Sequence, residues 1–229
     1  VKVAVVFPWR AGCPWRERAR QWVQSRYTEL HPEWVQVLGS CNPDQPFNRA
    51  EAILDGARRV DADVYVVADA DVWCPKVGRS IAPALERGWA TPQKKLHRLT
   101  DAASERLMAG ETDGLRTIEI YTGHHAGTLV VLRTDVLFDV PPDVRFVGWG
   151  QEDDAWRIAL TELVAQPHRT GGGSDLFHLW HPPQERLNRI EGNPDGVALL
   201  RRYKQARALG APALRHLLDE SRALWPQPA

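Results

Sequence analysis

Residues 64–71 read Val64-Tyr65-Val66-Val67-Ala68-Asp69-Ala70-Asp71. The β-branched and aromatic run is the pattern of a strand buried on both faces, and it ends directly in two carboxylates spaced one residue apart. Upstream, Phe47, Ala50, Ile53, Leu54, Ala57 and Val60 recur at helical spacing, and Val35 to Leu38 is a short strand. Before that, Pro14 opens a helix with Trp15, Ala19, Trp22, Val23 and Tyr27 on one side, preceded by the strand Val3 to Phe7. The order β-α-β-α-β predicts an α/β fold, an open and mostly parallel sheet with helices on its faces. Ligands of such sheets sit at the carboxyl ends of the strands. Asp69 and Asp71 lie at one such end, and Pro8-Trp9-Arg10 at another.

Downstream the pattern is less regular. A short helix is expected over Thr100 to Ala109, followed by a surface excursion to Gly114. A strand over Thr128 to Arg133 follows Gly123-His124-His125-Ala126-Gly127, and a helix over Asp153 to Val164 follows Gly148-Trp149-Gly150. A flexible loop, Thr170-Gly171-Gly172-Gly173-Ser174, leads to the strand Leu176 to Trp180. Helices over Asp195 to Leu209 and Ala213 to Trp225 form a tail. With neither an internal repeat nor a long linker, residues 1–229 are expected to form one domain. Its parts are a first half (1–75), a second half (120–182) and a helical tail (184–229).

Composition narrows the function classes. The 229 residues carry 29 basic and 29 acidic side chains, so no overall field draws the chain to nucleic acid or anionic membrane. Four basic residues of the tail (Arg201, Arg202, Lys204, Arg207) form a local basic face, which reads first as a solvated helix surface. No apolar run approaches the roughly 20 residues that span a bilayer, and VKVAVVFPWR reads as a core strand rather than a signal peptide. Three scattered cysteines (Cys13, Cys41, Cys74) form no CxxC pair, so neither a disulfide framework nor a zinc site is expected, and a reducing cytoplasm is the default. Most of the ten tryptophans are expected in the core, with a few left to stack on sugars or bases in a cleft.

Three constellations carry chemistry. Asp69-Ala70-Asp71 can turn two carboxylates toward a hard divalent cation, which keeps its other positions for phosphate oxygens and water. The bland reading is a polar turn closing a strand. Gly148-Trp149-Gly150-Gln151-Glu152-Asp153-Asp154 places three acids where a helix starts, which helix capping alone would explain. The glycines and tryptophan ahead of the acids suit close ligand approach and sugar stacking, and a carboxylate there can serve as general base. His178-Leu179-Trp180-His181-Pro182 offers a histidine to complete a metal shell, or else a pair of structural histidines.

Taken together, these blocks resemble the glycosyltransferases of the GT-A fold, in particular the β-1,4-galactosyltransferase and polypeptide N-acetylgalactosaminyltransferase groups. Phe7-Pro8-Trp9-Arg10 is similar to the Pro-Phe-Arg loop of that family. Phe47-Asn48-Arg49-Ala50 matches its Phe-Asn-Arg-Ala motif, and Asp69-Ala70-Asp71 its DxD. Trp149-Gly150-Gln151-Glu152-Asp153-Asp154 resembles Trp-Gly-Gly-Glu-Asp-Asp with Gln151 in place of a glycine. The resemblance spans roughly residues 1 to 182. It implies a Rossmann-like GT-A fold and a nucleotide-sugar donor, most often a UDP-sugar, bound with Mn2+ or Mg2+. Pro8, Arg10, Phe47, Arg49, Asp69 and Asp71 would surround the nucleotide. Asp71, with Asp69 and with His181 in preference to His178, would hold the metal. Trp149, Gly150, Glu152, Asp154 and Gly127 would meet the sugars, and Asp153 would be the base of an inverting transfer.

The acceptor could be a glycan, a protein side chain or a hydroxylated DNA base, the last disfavoured by the neutral charge. Two other readings compete. One is a haloacid-dehalogenase-like phosphatase using the DxD, although that motif usually follows a first strand. The other is a non-catalytic carbohydrate-binding protein of the same fold.

Overall fold

A computed structural model describes residues 1–122, 127–148, 150–169, 175–182 and 193–225. The first half follows the expected alternation: β1 (Val3–Pro8), α1 (Pro14–Leu30), β2 (Val35–Gly39), α2 (Arg49–Arg58) and β3 (Val64–Ala68). Then come β4 (Val72–Trp73), α3 (Ile81–Arg87), β5 (Trp89–Thr91), β6 (Lys95–Leu99), α4 (Asp101–Met108) and β7 (Thr117–Thr122). The second half has β8 (Leu129–Arg133), α5 (Thr134–Asp139), α6 (Glu152–Leu163), β9 (His168–Arg169), β10 (Asp175–His178), α7 (Pro194–Leu209) and α8 (Ala211–Arg222).

A six-stranded sheet runs in the order β2-β1-β3-β8-β5-β9. Its first three strands are parallel, β8 is antiparallel to both β3 and β5, and β9 is parallel to β5. The continuous apolar run of β1 is explained by its two covered faces. Ala4 and Val6 join Ile53 and Ala57 of α2 and the apolar faces of α6, α7 and α8. Val3, Val5 and Phe7 join Ala19, Val23 and Tyr27 of α1 together with Leu107 of α4. A residue period of two thus divides one strand between two cores. The tail helices are part of the first core, through Leu199, Leu200, Tyr203, Leu214, Leu217 and Leu218.

The middle of the chain, which reads as irregular, contains a second sheet. Four strands lie in the order β4-β10-β6-β7. β4 is only two residues long, and β7 alternates but exposes both Ile118 and Ile120, so neither marks a buried face. The tryptophans also depart from expectation. Trp34, Trp73, Trp89 and Trp156 are buried, whereas Trp15 is 47% exposed and Trp9, Trp22, Trp180 and Trp225 are half-buried. The cysteines are free, as their scatter predicts.

Two devices bring α2 to the ligand end of the sheet. A Cβ on Gly39 would stand 1.8 Å from the Ala52 carbonyl oxygen, so the end of β2 tolerates only glycine beneath the helix. Asn48 caps α2 by accepting the Glu51 N–H at 3.1 Å, and its amide donates to the Val144 carbonyl at 2.7 Å. Arg49, the next residue, is thereby fixed at the carboxyl end of β3.

Candidate functional site

The turn after β3 is set by the backbone. The Asp69 N–H donates to the Thr128 carbonyl at 2.9 Å, and the Val72 N–H to the Asp69 carbonyl at 3.1 Å. β4 then pairs antiparallel with β10, Val72 opposite His178, and the Leu179 N–H donates to the Asp71 carbonyl at 2.9 Å. This register sets Asp71 beside both expected histidines. Nε2 of His178 is 3.8 Å from Oδ1 of Asp71, and Nε2 of His181 is 3.5 Å from Oδ2. One ligand atom from each of Asp71, His178 and His181 lies within 4.8 Å of the others.

A carboxylate with two imidazoles is a donor set better matched to manganese than to magnesium. Nδ1 of His181 is 2.8 Å from the Pro182 carbonyl, an acceptor to which that nitrogen donates, and this leaves Nε2 facing Asp71. Burial pulls the His178 imidazole below its ordinary value, against the opposing pull of the Asp71 carboxylate. Burial opposes ionisation of Asp71, but His178, His181 and Arg16 outweigh it and hold the carboxyl below the usual range. Asp69 moves the other way, raised by burial and by Asp71 against the pull of Arg49.

Asp69 is turned away from the histidine pair. Its Oδ1 accepts the Arg49 Nε–H at 2.9 Å, and the same guanidinium donates to the Gly127 carbonyl. Gly127 in turn supports the acid block: a Cβ there would be 2.6 Å from Oδ2 of Asp153. Arg49, only 8% exposed, also feels the charges of Glu152 and Asp153. A single buried guanidinium therefore joins the DxD turn, the turn before β8 and the start of α6. Phe47 adds a backbone tie, its carbonyl accepting the Gly148 N–H at 2.9 Å.

α6 begins in an unusual way. Gly148 and Gly150 have φ of +82° and +100°, and Gln151 has φ of +77°, the one positive value at a non-glycine among the described residues. The glycine of the related motif thus corresponds to a left-handed position, which Gln151 occupies at some cost in strain. Glu152 is pushed up to about 7 by burial, with the charge of Asp153 adding to it. Among the described residues, its Oε2 and the Thr128 Oγ1 are buried without a hydrogen-bond partner. Asp153 Oδ1 accepts the Asp154 N–H at 2.9 Å, and Asp154 is exposed and paired with Arg157 at 3.2 Å.

Among the residues singled out from sequence, Pro8 closes β1, and Arg10 is bound to the neighbouring loop. Its guanidinium donates to the carbonyls of Gln45 and Asn42, each at 2.7 Å, and lies over the Phe47 ring. Trp149, His124, His125 and Ala126 lie outside the described residues, as does the loop 170–174. Arg16, in the first turn of α1, was not legible as a site residue. It is the arginine after β1 that reaches the DxD turn, with Nε 3.3 Å from Oδ2 of Asp71. Beside it, Trp15 and Trp180 pack edge to face at 6.0 Å.

No family model matches the chain, and no curated protein matches its sequence. Solved structures do match. Glucosyl-3-phosphoglycerate synthase from Mycobacterium tuberculosis, in complex with Mn2+, UDP-glucose and phosphoglyceric acid, aligns with a TM-score of 0.51 at 12% identity, over 92% of this chain and 80% of that one. The catalytic domain of Drosophila β-1,4-galactosyltransferase 7, in complex with xylobiose, aligns with a TM-score of 0.49 at 17% identity, over 83% and 78%. Likeness at this level is likeness of fold.

Proposed function

Because the chain has the GT-A fold, we propose that it is a metal-dependent glycosyltransferase, moving a sugar from a UDP-sugar to an acceptor hydroxyl with inversion. The observation that carries this reading is the convergence of Asp71, His178 and His181 at the end of β3. Asp71 and the two imidazoles would hold Mn2+, which supplies positive charge to the leaving diphosphate. The mycobacterial structure of this fold contains both Mn2+ and UDP-glucose.

The chain's own groups divide the remaining work. Asp69 and Arg49 fix the DxD turn, while the loop built from Arg10 and Phe47 forms the nucleotide side. Asp153 accepts the proton of the acceptor hydroxyl as that oxygen attacks the anomeric carbon and the sugar–phosphate bond breaks. Glu152 retains a proton near neutrality and so can donate as well as accept toward sugar hydroxyls, for which its unpaired Oε2 and the Thr128 hydroxyl are suited. Gly127, Gly150 and Asp154 would meet the sugars; Trp149, given the same role from sequence, lies outside the described residues.

The test is a screen of nucleotide sugars with Mn2+ for thermal stabilisation and release of nucleoside diphosphate. Stabilisation and turnover that need both Mn2+ and a UDP-sugar are expected. Hydrolysis of simple phosphoesters without any nucleotide-sugar response would overturn the reading in favour of a phosphatase. Binding without turnover would favour a lectin-like role.

A further inference from the structure

Arg16 occupies two of the atoms that a cation would need. Its Nε is 3.3 Å from Oδ2 of Asp71, and a terminal nitrogen is 3.3 Å from Nε2 of His181. A guanidinium can only donate, so this contact is made to the Nε2 lone pair, the same lone pair a metal would take. Guanidinium and metal cannot share these atoms, because like charges at such separations repel strongly.

Arg16 is also poorly satisfied where it stands. Its Nε–H is buried and makes no directed hydrogen bond among the described residues. The side chain is still 30% exposed, so it has a solvent side toward which to turn. Arg10 donates to two backbone carbonyls and Arg49 to Asp69 and the Gly127 carbonyl, while Arg98, opposite His178 in the β6–β10 pairing, lies over the Tyr121 ring and makes no contact with Asp71 among the described residues. A guanidinium fork matches phosphate oxygens in geometry as well as charge.

We propose that Arg16 is an exchangeable counter-cation, pairing with Asp71 and His181 in the metal-free protein and turning to the donor's diphosphate when a divalent cation takes those atoms. The proposal rests on the metal-dependent reading above. It makes cation uptake and nucleotide uptake oppose one another at one side chain: Arg16 weakens binding of the bare metal and strengthens binding of the metal–nucleotide pair.

The experiment compares Mn2+ binding, followed by the electron paramagnetic resonance signal of free Mn2+, and UDP binding in saturating Mn2+, followed by calorimetry. Arg16→Gln is set beside Arg18→Gln, which removes the same charge from the same helix at a residue paired with Glu105. Circular dichroism checks that each variant is folded. Arg16→Gln is expected to bind bare Mn2+ about tenfold more tightly and UDP about tenfold more weakly, with Arg18→Gln near wild type in both. Unchanged or weaker Mn2+ binding by Arg16→Gln overturns the exchange alone, as does an Arg18→Gln response equal to it. Absence of Mn2+ binding in every form, with or without UDP, overturns the metal reading and the exchange with it.

Discussion

The side chain of Asp153 lies flat against the backbone of Gly127: a Cβ on that glycine would be 2.6 Å from Oδ2 and 2.7 Å from Cβ of the aspartate. Both contacts are far inside van der Waals range, and the second is to an atom close to the α6 backbone. Gly127→Ala should therefore displace Asp153 without removing it. Displacements of about 1 Å can cost roughly 10²-fold in rate, so transfer should fall by about that factor while UDP affinity in Mn2+ changes little. Steady-state kinetics with calorimetry separates the two.

Asp71 and Asp153 have different proposed roles and should fail differently. Asp71→Asn should abolish the Mn2+-dependent thermal stabilisation by UDP. Asp153→Asn should preserve that stabilisation and abolish transfer. Comparable turnover by Asp153→Asn would remove its assignment as base.

Arg49 is the buried guanidinium between Asp69, the Gly127 carbonyl and the two acids at the start of α6. Arg49→Ala leaves these groups in place without their countercharge. A loss of about 3–5 kcal/mol of folding stability is expected, the usual result of orphaning a buried charge. Urea denaturation of the metal-free protein measures it. A loss below about 1 kcal/mol, the worth of a surface pair, would show that solvent or a rearranged side chain replaces the arginine.

Glu152 sets a pH dependence of known sign. Its folded value, about 7, lies above the ordinary 4.5 for a glutamate. The folded state thus holds a proton that the unfolded state releases first, and the contribution to stability is complete below pH 4.5 and lost as pH rises through 7. At most about 3 kcal/mol is involved over that window. Glu152→Gln, which cannot ionise, should gain stability relative to wild type between pH 5 and 8, measured without metal. A constant difference across that range would place the raised value elsewhere.

Much of this architecture is written locally. Buried strands β1 and β3 are apolar on both faces because each feeds two cores, and α2 and α6 carry their boundaries in Asn48 and in the acids that follow Gln151. The DxD and the histidines were identifiable by residue type, but sequence favoured His181 over His178, whereas the structure brings both to Asp71. That choice depends on the register of β4 with β10, a two-residue pairing too short to leave a pattern. Arg16 was hidden for a related reason. A long basic side chain in the first turn of an amphipathic helix looks like solvent-facing charge until the neighbouring strand ends are in place. Gln151 marks where local preference yields, a non-glycine held left-handed by the turn it begins.

The β4–β10 pairing also has a consequence for the order in which the protein gains its properties. Asp71 leaves the ribosome long before His178 and His181, and nothing in the first half replaces them in the cluster among the described residues. A nascent chain ending before β10 carries the whole acidic motif and still lacks its imidazoles. On the metal-dependent reading, tight cation uptake would therefore be a late event of maturation, reporting that the last strand of the second sheet has found its place.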